Sequence, residues 1–188
     1  MTIKIVCPTC EGTGIIDAVD NTDRIFIKPL LHTFPRSYHE KIIGVVSIAN
    51  EILSSHVSQQ AIYELPAFDF SKHINGEPAN GKQVWDSMMK CPIVANLKGY
   101  RFRWPRHRNV NGYFTRKKPE YVHYNLKKLR RDEMDMVETA IHEFEHLTDF
   151  DDKKVYYGHG SSSPVGKANS APRLIPRILV DLYIKGKI

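Results

Sequence analysis

The chain has 188 residues, 41% of them hydrophobic and 26% charged, with a formal net charge of +6. That is enough for one domain with its own core and too little for two comfortable ones, and the composition is globular rather than disordered. No apolar run reaches the roughly 18–20 residues of a bilayer span, Met1 to Cys7 lack the apolar length and cleavage site of a signal peptide, and three cysteines do not make a secreted disulfide framework, so a cytoplasmic protein with no membrane partner is expected.

In chain order, residues 1–23 read as a lead-in rich in Gly, Asp, Asn and Thr, and residues 24–188 as the domain proper. The lead-in holds Cys7-Pro8-Thr9-Cys10-Glu11-Gly12-Thr13-Gly14. This resembles one CxxCxGxG unit of the zinc-binding region of DnaJ chaperones, where two units supply four thiolates per metal. With one unit here, Cys7 and Cys10 are candidates for a second metal only if Cys91 and a histidine, or another chain, complete the set. Two reduced cysteines in a glycine turn is the plainer alternative.

Arg24 to Leu31 reads as a strand, with Pro29 favouring an edge or an end. Ser37 and Glu40 fit a capping box. Behind them Ile42, Val45, Val46, Ala49, Ile52, Leu53 and Val57 recur at helical spacing, which predicts a helix to about Gln60. Ala61 to Phe70 reads as a short strand and turn, His73 to Lys82 as a loop, Val84 to Lys90 as a short helix and Ile93 to Trp104 as a strand. A basic loop follows, then a strand over Tyr121 to Leu126. Asp132 is placed to cap a helix running to about Phe150, with Glu133 and Asp135 in its first turn. Pro176 is placed to open a last helix carrying Ile178, Leu179, Leu182 and Tyr183.

The chemistry-bearing motif lies on the predicted helix from Asp132. Val137, Ala140, Ile141, Phe144 and Leu147 form its apolar stripe, and beside them stands His142-Glu143-Phe144-Glu145-His146. Two histidines four residues apart project from nearly the same face, one turn apart, and both can reach one tetrahedral zinc ion at about 2.0–2.1 Å. Glu143 is one step round, placed to contact a water rather than the metal. This is the HExxH pattern of zinc hydrolases, in which the metal lowers the pKa of a water and the glutamate takes its proton. The plainer alternative is a charged helix face on which Glu138 and Glu145 pair with the histidines.

A catalytic zinc site takes three protein ligands. Downstream, Asp152 stands six residues after His146, but Asp149 occupies the position where that spacing normally uses glycine. His159, in Gly158-His159-Gly160, is favoured because its flanking glycines allow a tight bend. A plain Gly-His-Gly turn is the alternative.

The strand ending at Leu126, the acid-led helix with His142-Glu143-Phe144-Glu145-His146 and the Gly158-His159-Gly160 element together resemble the SprT-like, Spartan-related family of zinc metallopeptidases, which includes a DNA-dependent protease. The likeness covers residues from about Tyr121 to Gly160. It implies an α+β zincin-like domain, with a small sheet packed on the HExxH helix and a second helix on the N-terminal side. It also implies His142, His146 and His159 as zinc ligands, Glu143 as general base and a protein or peptide as substrate. The chain departs from the family after His159, where Ser161-Ser162-Ser163-Pro164 replaces the usual aromatic residue, and no cysteine follows Cys91 to build a zinc ribbon.

Charge is unevenly spread: Lys98 to Arg131 holds twelve Lys or Arg and one acid, Glu120, while the remainder holds fifteen basic and twenty acidic residues. Within it, Lys98, Arg101, Arg103, Arg106 and Arg108 interleave with Tyr100, Phe102 and Trp104. Cations neutralise phosphates and rings stack on unpaired bases, so the stretch suits DNA or RNA; a solvated basic edge strand is the alternative. If Phe102 and Trp104 point inward, Arg101 and Arg103 share the outer face. Against a zinc peptidase acting near nucleic acid stand two rivals: a nucleic-acid-binding or phage-type structural protein keeping a zincin scaffold, and a zinc hydrolase acting on a non-peptide bond.

Overall fold

The computed structural model describes residues 24–69, 71–73, 76–101, 110–115, 117–151, 155–157 and 169–188. In chain order they form β1 (Ile27–Pro29), α1 (His39–Ser54), α2 (His56–Tyr63), β2 (Ser71–His73), α3 (Gly81–Lys90), β3 (Ala95–Tyr100), β4 (Gly112–Phe114), β5 (Tyr121–Asn125), α4 (Glu133–Asp151), β6 (Val155–Tyr157) and α5 (Ala171–Ile184). The architecture is α+β. One sheet has the order β1-β3-β5-β4, with β1, β3 and β5 parallel and β4 antiparallel at the edge. A separate ribbon pairs β2 with β6 antiparallel. Among the described residues no helix is long and apolar enough to cross a membrane.

Alternation along β3 buries Ala95, Leu97 and Gly99 against the helical layer and leaves Asn96, Lys98 and Tyr100 on the other face. On the helical side α1 contributes Ile42, Val45, Val46, Ala49, Ile52 and Leu53, all buried. Asn50 then ties α1 to β1. Its Oδ1 accepts the Phe26 and Ile27 amides at 2.9 Å each, and its Nδ2 donates to the Ile27 carbonyl at 2.8 Å. The predicted stripe of α4 is the centre of the core: Val137, Ala140, Ile141, Phe144 and Leu147 are all fully buried. Phe144 meets Phe26 edge to face at 5.8 Å, and the Tyr124 hydroxyl donates to the Met136 carbonyl at 2.7 Å, fastening β5 to α4.

Four local expectations are corrected. The first long helix breaks at Ser55, which turns extended and caps α2 by accepting the Val57 amide, so Val57 leaves the apolar stripe and is exposed. The box at Ser37 and Glu40 does not form, because Ser37 sits in a 3-10 turn (Arg36–Tyr38) that runs straight into α1 and leaves Tyr38 at the cap position without a side-chain bond. A capping box occurs instead at Asn80 and Gln83, and α3 starts at Gly81. Ala61 to Phe70 contains the end of α2 rather than a strand, the strand following at Ser71. Finally, α5 begins at Ala171, so Pro176 lies inside the helix and not at its start. Asp132 does cap α4, its Oδ1 accepting the Met134 amide at 2.8 Å.

Candidate metal centre

Because α4 buries its apolar stripe, the neighbouring strip with His142, Glu143 and His146 is turned to the rim of the core, where a cavity of about 440 Å³ opens. The floor is α4, with Glu138 and Thr139 beside the three motif residues. One wall is the segment Val110 to Phe114, carrying β4, and the other is Arg173 from the first turn of α5. His142 and His146 are half-buried. Their ring centroids lie 4.8 Å apart with the planes at 83°, so both rings sit side by side on the cavity floor.

His142 is oriented from behind: its Nδ1 is bonded to the backbone carbonyl of Pro172. A carbonyl only accepts, so Nδ1 carries a proton; when the ring is neutral this leaves the lone pair at Nε2, the tautomer that a metal-binding imidazole needs. The donor set therefore fits a zinc ion as far as two imidazoles go. Among the described residues no group of three His, Cys, Asp or Glu converges. The two expected third donors, His159 and Asp152, lie outside the described residues, as do Cys7 and Cys10.

Glu143 is almost completely buried. Burial pushes its carboxyl up to about 8, against smaller opposing effects from the Phe114 backbone N–H, which hydrogen-bonds it, and from the Arg173 charge. Here β4 rides directly on α4. A Cβ on Gly112 would lie 3.0 Å from the His123 carbonyl oxygen, 3.1 Å from Thr139 Cγ2 and 3.2 Å from Glu143 Cγ. Glu138, also at the cavity, has its carboxyl raised by burial and then by the nearby Asp135 charge.

Glu145 does not belong to a charged helix face. Glu145 is fully buried, neither of its carboxyl oxygens has a hydrogen-bond partner among the described residues, and burial alone raises its pKa well above the carboxylate range. It is a neutral acid in the core, not a partner for the histidines.

Of the basic residues, Lys98 and Arg101 are described, whereas Arg103, Arg106 and Arg108 lie outside the described residues. Lys98 and Tyr100 face away from the helices, β3 ends at Tyr100, and Arg101 is exposed just beyond it, while Phe102 and Trp104 lie outside the described residues. The same outer face carries an aromatic cluster that sequence reasoning missed. Tyr113 stacks on His123 at 4.3 Å, Tyr100 meets both rings edge-on at 5.8 and 5.6 Å, and the Lys98 ammonium stands 5.3 Å over the Tyr121 ring. Burial, then the Lys98 charge, lowers the His123 pKa, so its ring is neutral at pH 7. No acidic residue occurs in the four strands of this sheet.

Arg173 and Gly112 were also missed. Arg173 is far from the motif in sequence, and nothing in the spacing links the two; the only trace of β4 was a three-residue Gly-Tyr-Phe run, too short to show alternation. Comparison with family models, with curated proteins and with solved structures found no match.

Proposed function

We propose that this chain is a zinc-dependent metallopeptidase with a zincin-like, SprT-like site, in which His142 and His146 hold the metal together with His159 or, alternatively, Asp152. The observation that carries the reading is the side-by-side placement of His142 and His146 on a cavity floor with Glu143 between them in sequence and Pro172 fixing the His142 tautomer. A zinc ion held there supplies the Lewis acidity that lowers the pKa of a water and polarises a carbonyl. Burial alone keeps the Glu143 carboxyl largely protonated near neutral pH, and a divalent cation held beside it would favour the carboxylate. As a carboxylate, oriented by the Phe114 amide, Glu143 would accept the proton of the water and return it to the leaving amine. Arg173, the cation on the cavity wall, offsets negative charge developing on the carbonyl oxygen. A peptide is the favoured substrate because the wall of the cavity is an edge strand, β4, to which an extended chain can add by backbone hydrogen bonds.

Elemental analysis beside a peptidase assay tests this. Wild type should hold zinc and lose activity on chelation, His142→Ala should lose the metal, and Glu143→Gln should keep the metal and lose activity. A Glu143→Gln variant as active as wild type would sink the chemistry.

A second reading, nucleic-acid contact, is favoured by the outer sheet face, where the Lys98 ammonium stands among the rings of Tyr100, Tyr113, Tyr121 and His123. Strands with no acid suit a phosphate backbone, and an exposed ring such as Tyr100, 42% accessible, suits base stacking. Single-stranded oligonucleotide binding should weaken steeply with salt and drop on Tyr100→Ala. No binding at low salt would dismiss it.

A further inference from the structure

Helix α5 contains a proline where a helix ordinarily tolerates none. Its first turn holds Pro172, and Pro176 follows four residues later, inside the helix. In an α-helix the carbonyl of residue i accepts the amide of residue i+4. At position 176 there is no amide hydrogen, so the Pro172 carbonyl has no such donor, and the Pro176 ring crowds that carbonyl away from the helix axis. Both prolines are buried, and a buried carbonyl needs a partner. It is the Pro172 oxygen that His142 Nδ1 reaches across the contact between α4 and α5.

We propose that Pro176 is a positioning residue for the candidate metal centre: by withholding its amide it reserves the Pro172 carbonyl for His142, and so holds that imidazole in the tautomer whose Nε2 binds a metal. The consequence for the metal rests on the metallopeptidase reading; the tautomer does not. The device explains an otherwise unfavourable residue. An alanine at 176 would suit the helix better, yet its amide would compete with His142 for the same oxygen. His142 would then lose the bond that fixes its ring, and second-shell losses of this kind typically weaken metal affinity about 10–100-fold.

The test uses the full chain, with Pro176→Ala beside Val180→Ala. Val180 is buried on the same helix, and its truncation loosens α5 without adding an amide. Two readouts are needed: nitrogen NMR of the metal-free proteins above the histidine pKa range, and zinc affinity by chelator competition. In wild type His142 should be the Nδ1–H tautomer. Pro176→Ala should shift it toward a mixture and weaken zinc binding about tenfold or more, with no fall in melting temperature. Val180→Ala should lower the melting temperature and leave tautomer and zinc affinity as they are. An Nε2–H tautomer in wild type overturns the proposal even if Pro176→Ala fails to fold. So does a folded Pro176→Ala protein with tautomer and zinc affinity unchanged, or a Val180→Ala protein that loses zinc equally. A wild type with the Nδ1–H tautomer but no zinc binding would instead refute the metallopeptidase reading and leave the carbonyl device standing.

Discussion

Replacing Glu145 by methionine should stabilise the protein, increasingly so as pH rises. The carboxyl is fully buried, and neither oxygen has a hydrogen-bond partner among the described residues. A buried polar group left unsatisfied costs about 1–3 kcal/mol, and methionine keeps the length and flexibility of the side chain while removing the polar atoms. Protonation adds a second effect. Burial raises the folded-state pKa, so the folded protein keeps the proton at pH values where the unfolded chain has released it. The contribution of Glu145 to wild-type stability is therefore greatest below the unfolded pKa near 4.5 and falls as pH rises, by up to about 1.4 kcal/mol per pH unit while the folded group stays protonated. The variant lacks that slope. Glu143 has a slope of the same sign, since its pKa is raised to about 8, but it is present in both proteins and cancels in the difference. Denaturant titrations of the metal-free proteins at about pH 5 and about pH 7.5 should show a gain of about 1–3 kcal/mol at the lower pH and a larger one at the higher. In melting temperature each kcal/mol corresponds to about 2–4 °C for a chain of this size. A variant less stable than wild type, or a gain that does not grow with pH, would show that Glu145 is ionised or partnered in the fold.

Asn50→Ala should cost about 2–4 kcal/mol, because it removes three hydrogen bonds at once and leaves two amides of the β1 region without acceptors; an unchanged denaturation midpoint would mean that the clamp is dispensable. Gly112→Ala should cost about 1–3 kcal/mol by overpacking, since its Cβ would press on Thr139, Glu143 and the His123 carbonyl at 3.0–3.2 Å. Peptidase activity should fall with it as β4 lifts off α4, and full activity would show that the strand does not set the Glu143 position. Arg173→Met should lower kcat about 100-fold with little change in KM if the guanidinium acts on the developing charge. A rise in KM alone would assign it to substrate binding.

How much was legible follows from where the signals are local. The α4 stripe and the His142–His146 pair are set by one helical period, and the helix appears within a residue or two of its expected bounds with that stripe at the centre of the core. Asp132 was readable for the same reason. Ser55 was not: a serine interrupting a long apolar periodicity looks like a tolerated polar residue until the chain is seen to turn extended there. Pro176 was misplaced because a proline is ordinarily read as a helix start, and only the tertiary partner of Pro172 explains one inside. The neutral state of Glu145 is likewise a matter of what surrounds it, and nothing about Glu145 in the sequence separates it from an exposed acid. Arg173, Gly112 and the Tyr113–His123 stack depend on contacts between elements that no spacing rule connects.

The ribbon of β2 and β6 has a bearing on the third donor. Its register sets Ser71 opposite Tyr157 and His73 opposite Val155, so the backbone between Asp152 and His159 is stapled to a stretch of chain that precedes the motif by three of the sheet's four strands. Both rival donors flank that staple, one on each side in sequence. On the metallopeptidase reading, a lesion at residues 71–73, about seventy residues before the helix pair in the primary structure, should thus slacken the grip on a cation as surely as damage to the helix itself.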